Sequence, residues 1–202
     1  MPNLASFWSR YGKQEYDSTA FAKALARLPA VTVDGPWVGG GSVRRLVMNL
    51  PQDSDFDFFF ANQEQFDAFC SDMEGRGAKR SGENDFNVTF MLPKNDEGPE
   101  LKVQAIRISF HPTLPETLDQ FDFAICKCGF DGVDLVFGEW TLFDLASKRL
   151  VPDKISFGTS TLRRIIKYTK QGYTICSGGL ASILQQVADD PSIIQSDVEY
   201  ID

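Results

Sequence analysis

Between Ser54 and Phe60 the chain reads SDFDFFF, an alternation that suits an extended strand with Phe56, Phe58 and Phe60 on one face and Asp55, Asp57 and Phe59 on the other. Three phenylalanines on one side call for an apolar interior, so that stripe is core packing. Two carboxylates two residues apart converge on the opposite side. The strand is anchored by its apolar face and presents a pair of acids on the other.

The flanking sequence builds a mixed α and β chain around this strand. Upstream, DSTAFAKALARL has a capping residue and helically spaced apolar residues closed by Pro29. TVDGPWVGGG reads as a short strand ending in three glycines, and SVRRLVMNL as a helix that Ser42 caps and Pro51 ends. Downstream, NQEQFDAFCSDMEG is predicted to be a helix and RGAKRSGEND a loop and turn. FNVTFML and LKVQAIRISF follow as an antiparallel pair of strands joined by the polar turn PKNDEGPE. FDFAICKCGF fits helical and alternating templates equally. TLFDLASKRL, STLRRIIKYTKQGY and SGGLASILQQVADD read as three helices before an acidic tail.

Composition narrows the function classes. The 202 residues allow one domain, or one with a small appendage, and 43% hydrophobic with 24% charged residues is ordinary for a globular protein. A net charge of −8 argues against a surface that lies wholly on nucleic acid or anionic lipid. The charge is uneven, however. Lys148, Arg149, Lys154, Arg163, Arg164, Lys167 and Lys170 face only Asp153 between Leu145 and Ile175, a local +6 against −14 elsewhere. Such a basic stretch is either a solvated face or a surface for a polyanion.

Four cysteines without a CxxC pair and one histidine, His111, cannot make an ordinary zinc site. They read as reduced thiols of a cytoplasmic protein, with Cys126 and Cys128 in the core and His111 in a turn or buried. Met1 to Tyr16 lacks an apolar segment and no run nears 18 apolar residues, so neither a signal peptide nor a membrane span is expected.

The glycines before SVRRL do not form a Walker loop, since no Gly-Lys-Ser/Thr follows at the required distance. They still allow backbone N–H groups to approach an anion at the start of a helix that carries Arg44. The Asp55/Asp57 pair suits Mg²⁺, which takes oxygen ligands and shares them with substrate phosphates. The order is a glycine turn, a helix, and then Asp-x-Asp beginning 13 residues after Ser42.

That order resembles the nucleotidyltransferase fold of the DNA polymerase beta superfamily, and more narrowly the head and neck of class II tRNA CCA-adding enzymes and bacterial poly(A) polymerases. GGSVRRLVMNLPQDSDFDF is similar to the family's Gly-Gly-x-Val-Arg-Asp followed by Asp-x-Asp. DFAICKCGFDG resembles its Arg-Arg-Asp-Phe-Thr-Ile-Asn-Ala block, TLFDLASKRLV its Asp-Leu stretch, and TLRRIIKYTKQGYTI its neck helix. The resemblance runs from Trp37 to Ile175. Arg45 stands where the family has Asp, Asp119 and Gln120 where it has two arginines, and Cys126 where it has Asn. On the strand where many superfamily members place a third carboxylate, this chain has Gln104.

The resemblance implies an α+β fold, a nucleotidyltransferase-like mixed sheet flanked by helices and followed by a short helical neck. Residues 1–140 would form the head, with its catalytic core from about residue 36, and 141–202 the neck-like region and acidic tail. It implies NMP transfer from an NTP to an acceptor hydroxyl by two-metal chemistry, with Asp55 and Asp57 as catalytic residues and ligands of Mg²⁺ or Mn²⁺. Gly40, Gly41 and Ser42 would cradle the phosphates, with Arg44 contacting phosphate or pairing within the site. By motif position Asp122, Arg164 and Lys167 contact nucleotide or acceptor. An RNA 3′ end, tRNA included, is the leading acceptor, in the cytoplasm or in a host's cytoplasm were the chain viral. A protein or small-molecule acceptor and a catalytically silent head that binds nucleotide, RNA or protein are the alternatives.

Overall fold

The computed structural model describes residues 17–194, which form two compact units. One runs to Thr117 and takes in Cys128–Val136; the other comprises Leu118–Lys127 and the chain from Phe137 onward. The N-terminal segment Met1 to Tyr16 and most of the acidic tail lie outside the described residues. Among the described residues no helix is long and apolar enough to cross a membrane.

The first unit holds helices α1 (Thr19–Ala26), α2 (Gly41–Val47), α3 (Gln63–Gly75) and α4 (Leu114–Leu118). Its seven strands are β1 (Trp37–Gly39), β2 (Phe56–Phe59), β3 (Lys79–Glu83), β4 (Asn87–Leu92), β5 (Leu101–Ile106), β6 (Cys128–Phe130) and β7 (Leu135–Phe137), in the order β3-β4-β5-β2-β1-β6-β7. The sheet is mixed: β2 and β5 are parallel, while β1–β2, β1–β6, β3–β4 and β4–β5 are antiparallel. The expected α+β sheet with flanking helices is therefore present.

The Asp/Phe alternation decides how β2 sits. Phe56, Phe58 and Phe60 are each at most 1% exposed. The Phe58 ring lies 4.5 Å from that of Phe69, and Phe60 packs edge-on to Phe66 and Phe69 at 5.4 and 5.2 Å, which holds α3 on this face. The start of α3 is fixed by Asn62, whose side-chain oxygen accepts the Gln65 N–H at 2.9 Å. Phe21 of α1 stacks on Phe56 at 5.8 Å.

The second unit holds α5 (Thr141–Ala146), α6 (Gly158–Lys170) and α7 (Ser177–Asp189), as the three C-terminal helical patterns require. Ile155, Ile183 and Ile193 form a small core with Ile165, Ile175 and Val187 packed against it. Tyr168 stands between the rings of Phe123 and Tyr173, 6.0 Å from each, with its hydroxyl 3.1 Å from Cys126 Sγ. Cys126 and Cys128 are buried and all four cysteines are free thiols. His111 is half-buried, its Nε2 3.0 Å from the Ser109 hydroxyl.

Local expectations fail in four places. Residues 79–83, read as loop, form β3; every residue of it is exposed, so no apolar alternation marks the strand, and pairing with β4 alone defines it. The cap of α2 is Gly40, not Ser42, because the turn needs φ 72° at position 40 and draws Ser42 into the buried first turn. FDFAICKCGF fits two templates because it changes geometry midway, from a 3₁₀ turn at Ala124–Cys126 to β6. The short α4 and β7 have too few residues to show a period.

Candidate active site

The antiparallel register of β1 and β2 sets Gly39 opposite Asp57 and Val38 opposite Phe58. The glycine turn that follows β1 therefore emerges beside the carboxylate pair. Gly40 fixes the turn by donating its N–H to the Cys128 carbonyl at 2.8 Å. A side chain at Gly41 would place its Cβ 2.5 Å from the Ser54 hydroxyl, so glycine is what lets the turn close on the residue preceding Asp55. The first helical hydrogen bond of α2 runs from Arg44 N–H to Gly40 C=O, which leaves the N–H groups of Gly41, Ser42 and Val43 outside the helical ladder.

Asp55 and Asp57 are half-buried on the sheet face opposite the phenylalanines. Ser42 is fully buried, and its hydroxyl has no hydrogen-bond partner among the described residues. Arg44 is buried within α2. Its neighbour Arg45 turns outward to an ion pair with Asp53 and donates to the Pro51 carbonyl at 3.0 Å, tying the helix to the loop that leads into β2.

A residue that motif reading passed over completes this face. Lys102 of β5 places its Nζ 2.8 Å from Asp55 Oδ2. The parallel register pairs Phe56 with Val103 and Asp57 with Gln104, so Lys102 stands to Val103 as Asp55 stands to Phe56. The alternation of β5 was visible in the sequence; its register against β2 was not.

No group of three or more His, Cys, Asp or Glu side chains gathers among the described residues. The donor set is two carboxylates, which fits a hard divalent cation whose remaining oxygens come from phosphates and water.

Asp122, Arg164 and Lys167 belong to the second unit. Asp122 is buried, and its Oδ2 accepts hydrogen bonds from Thr161 Oγ1 at 2.9 Å and Arg164 Nη1 at 2.8 Å. Burial alone would lower the Arg164 pKa, but the Asp122 carboxylate outweighs it and raises the value. Lys167 is exposed on α6, with its Nζ 6.0 Å from the Tyr168 ring. Asp119 and Gln120, which stand where arginines were expected, instead receive lysines. Lys127, itself buried, lies 3.6 Å from Asp119 and 2.5 Å from Asp153, and Lys154 donates to Gln120 at 2.5 Å. The polarity at these positions is the reverse of the family pattern.

Lys127 also lines a cleft of about 620 Å³ with Trp140, Thr141, Asp144 and Arg149. Asp144 is 1% exposed, neither of its carboxylate oxygens has a hydrogen-bond partner among the described residues, and Arg149 Nε lies 3.5 Å away. Burial raises its pKa and Arg149 partly counters this.

The mixed sheet, with its glycine turn beside an Asp-x-Asp strand, shares its fold with solved nucleotidyltransferases. The chain is similar to a CCA-adding enzyme in complex with CTP (TM-score 0.57, 15% identity, 88% of this chain and 47% of that one). It is also similar to a CCA-adding enzyme in apo form (0.55, 18%, 79% and 39%) and to a tRNA nucleotidyltransferase complexed with a primer tRNA and an incoming ATP analog (0.50, 18%, 75% and 46%). It spans less than half the length of each. Residues 5–148 match the sequence profile of Gad2, the Gabija anti-defense 2 family protein, and the chain belongs to that family. No curated protein matches the sequence.

Proposed function

We propose that this chain is a divalent-cation-dependent nucleotidyltransferase that moves NMP from an NTP to an acceptor hydroxyl, with an RNA 3′ end, tRNA included, as acceptor. The register that sets Gly39 and the following turn beside Asp57 supports this reading, because a glycine turn at a helix start suits phosphate and a carboxylate pair suits a divalent cation. Asp55 and Asp57 hold Mg²⁺ or Mn²⁺, and the family resemblance implies two such ions. The cation supplies polarisation of the acceptor hydroxyl and charge stabilisation for leaving pyrophosphate. The N–H groups of Gly41 and Ser42 orient the phosphates, and Arg44 lends positive potential from within α2.

In this reading the first compact unit serves as the head, and α5, α6 and α7 of the second as the neck-like region. The exposed cations of α6, Arg163, Lys167 and Lys170, favour a polyanionic acceptor. By motif position Asp122, Arg164 and Lys167 are contacts for nucleotide or acceptor, and Arg164 holds α6 to Asp122 within the second unit.

Membership of an anti-defense family favours a second reading, in which the acceptor is a protein or small molecule on which Gabija defence depends. Incubation with labelled NTPs, Mg²⁺ and mixed small RNAs separates the two. Labelled RNA that disappears in Asp55→Ala and Asp57→Ala supports the first reading, and a labelled protein band or small product supports the second. Absence of any pyrophosphate release that depends on these aspartates overturns both and leaves a silent nucleotide- or RNA-binding head.

A further inference from the structure

The carboxylate face carries an ammonium beside its two acids. In the rows across the sheet, Asp57 lies between Gly39 of β1 and Gln104 of β5, and Gln104 is followed by Thr89 of β4. One row further, Lys102 reaches Asp55 at 2.8 Å and is followed by Met91. These rows add no third carboxylate, and they do add an ammonium. Lys102 thus offsets one unit of carboxylate charge at Asp55.

We infer that Lys102 is a tethered cation on Asp55, occupying the carboxylate lobe that a second divalent ion would need, so that the face takes one divalent cation. This rests on the proposed reading of Asp55 and Asp57 as metal ligands. The argument is electrostatic. Paired metal ions in such sites stand about 3.5–4 Å apart and share carboxylates between them. An ion that arrives with a triphosphate brings phosphate charge of its own, whereas an ion serving the acceptor hydroxyl leans on protein carboxylates. Lys102 already contacts one of the two carboxylates such an ion would need, and a divalent ion taken up there would meet a like charge.

Lys102 differs from a bound metal in a further way. An ammonium donates hydrogen bonds and accepts no lone pair, so it stabilises developing negative charge on an acceptor oxygen without ligating it. The pair is also open, with Lys102 45% and Asp55 37% exposed at the side chain. A pair this exposed holds the fold only weakly, so its removal changes the local charge and little else.

The test is a Mn²⁺ titration of the full chain, with free Mn²⁺ followed by electron paramagnetic resonance. Wild type should bind one Mn²⁺. Lys102→Met keeps the aliphatic stem and removes the charge; it should take up a second ion or bind the first about tenfold more tightly. Lys102→Arg, with its charge kept, should behave as wild type. Two Mn²⁺ in wild type overturns the inference, as does a Lys102→Met variant with wild-type stoichiometry and affinity, or no Mn²⁺ uptake by either protein. Asp55→Asn and Asp57→Asn separate this from the underlying reading. Mn²⁺ binding that survives both substitutions removes the metal site itself, whereas binding lost in both but indifferent to Lys102 removes only the role of the lysine.

Discussion

Asp55 meets Lys102 and Asp122 meets Arg164, each at 2.8 Å, but the two ion pairs do different work. The Asp55 side chain is 37% exposed, and its partner is a lysine with a flexible stem. Asp122 is 7% exposed, and its partner is a guanidinium reinforced by the Thr161 hydroxyl on the same oxygen. Equal distances therefore conceal unequal exchangeability. An exposed pair contributes little to the fold whether it is made or broken, while a buried carboxylate that loses its partner is left charged without compensation. The first arrangement suits a ligand site and the second a structural joint.

Substitutions should separate the two, and the largest effect lies on the exposed side. Asp57→Ala should lower NMP transfer by at least about 10³-fold while leaving the denaturant midpoint near that of wild type, read from pyrophosphate release and urea unfolding. The phenylalanine face of the same strand should respond in the opposite sense. Phe58→Ala, at a site 0% exposed and 4.5 Å from the Phe69 ring, should destabilise by about 3–5 kcal/mol in urea. Asp122→Asn should cost about 2 kcal/mol, below the full penalty for a buried pair because Arg164 is 49% exposed. By contrast, Lys102→Met should change stability by less than about 0.5 kcal/mol. Were Asp122→Asn as mild as Lys102→Met, the distinction between joint and ligand site would fail.

The smallest effect is one of pH. Burial raises the pKa of Asp144, so the folded protein holds this proton more tightly than the unfolded chain does. Its contribution to stability falls as pH rises from the ordinary value of 3.8 through the raised one. Asp144→Asn should flatten that part of the stability–pH curve, as measured by urea unfolding across the acidic range.

How much of this was legible in the sequence follows from the range over which each signal acts. The Asp/Phe alternation is local, and both its consequences appear: phenylalanines inside and carboxylates together outside. The glycine turn before a helix is local too, although Ser42 was misplaced as the cap because only the backbone conformation at Gly40 settles where α2 starts. Lys102 was invisible as a site residue because its meaning depends on the register of β5 against β2, two strands separated by α3 and a hairpin. The same holds for Thr161 and Arg164, brought to Asp122 from about 40 positions away in sequence. Strand β3 escaped notice for another reason: a strand exposed on both faces carries no hydrophobic code at all.

That fully exposed strand bears on what the protein can associate with. β3 closes one margin of the sheet, and its outer row of backbone groups would ordinarily invite another chain to add a strand. Lys79, Arg80 and Glu83 crowd that margin with charge, and the pairing register slips between Arg80 and Gly82. Both features spoil the flat, neutral template that self-association requires. A protein that must stay dispersed at high concentration gains from such a border, and neutralising it, for instance with Lys79→Val and Arg80→Val together, is the change expected to make this fold aggregate.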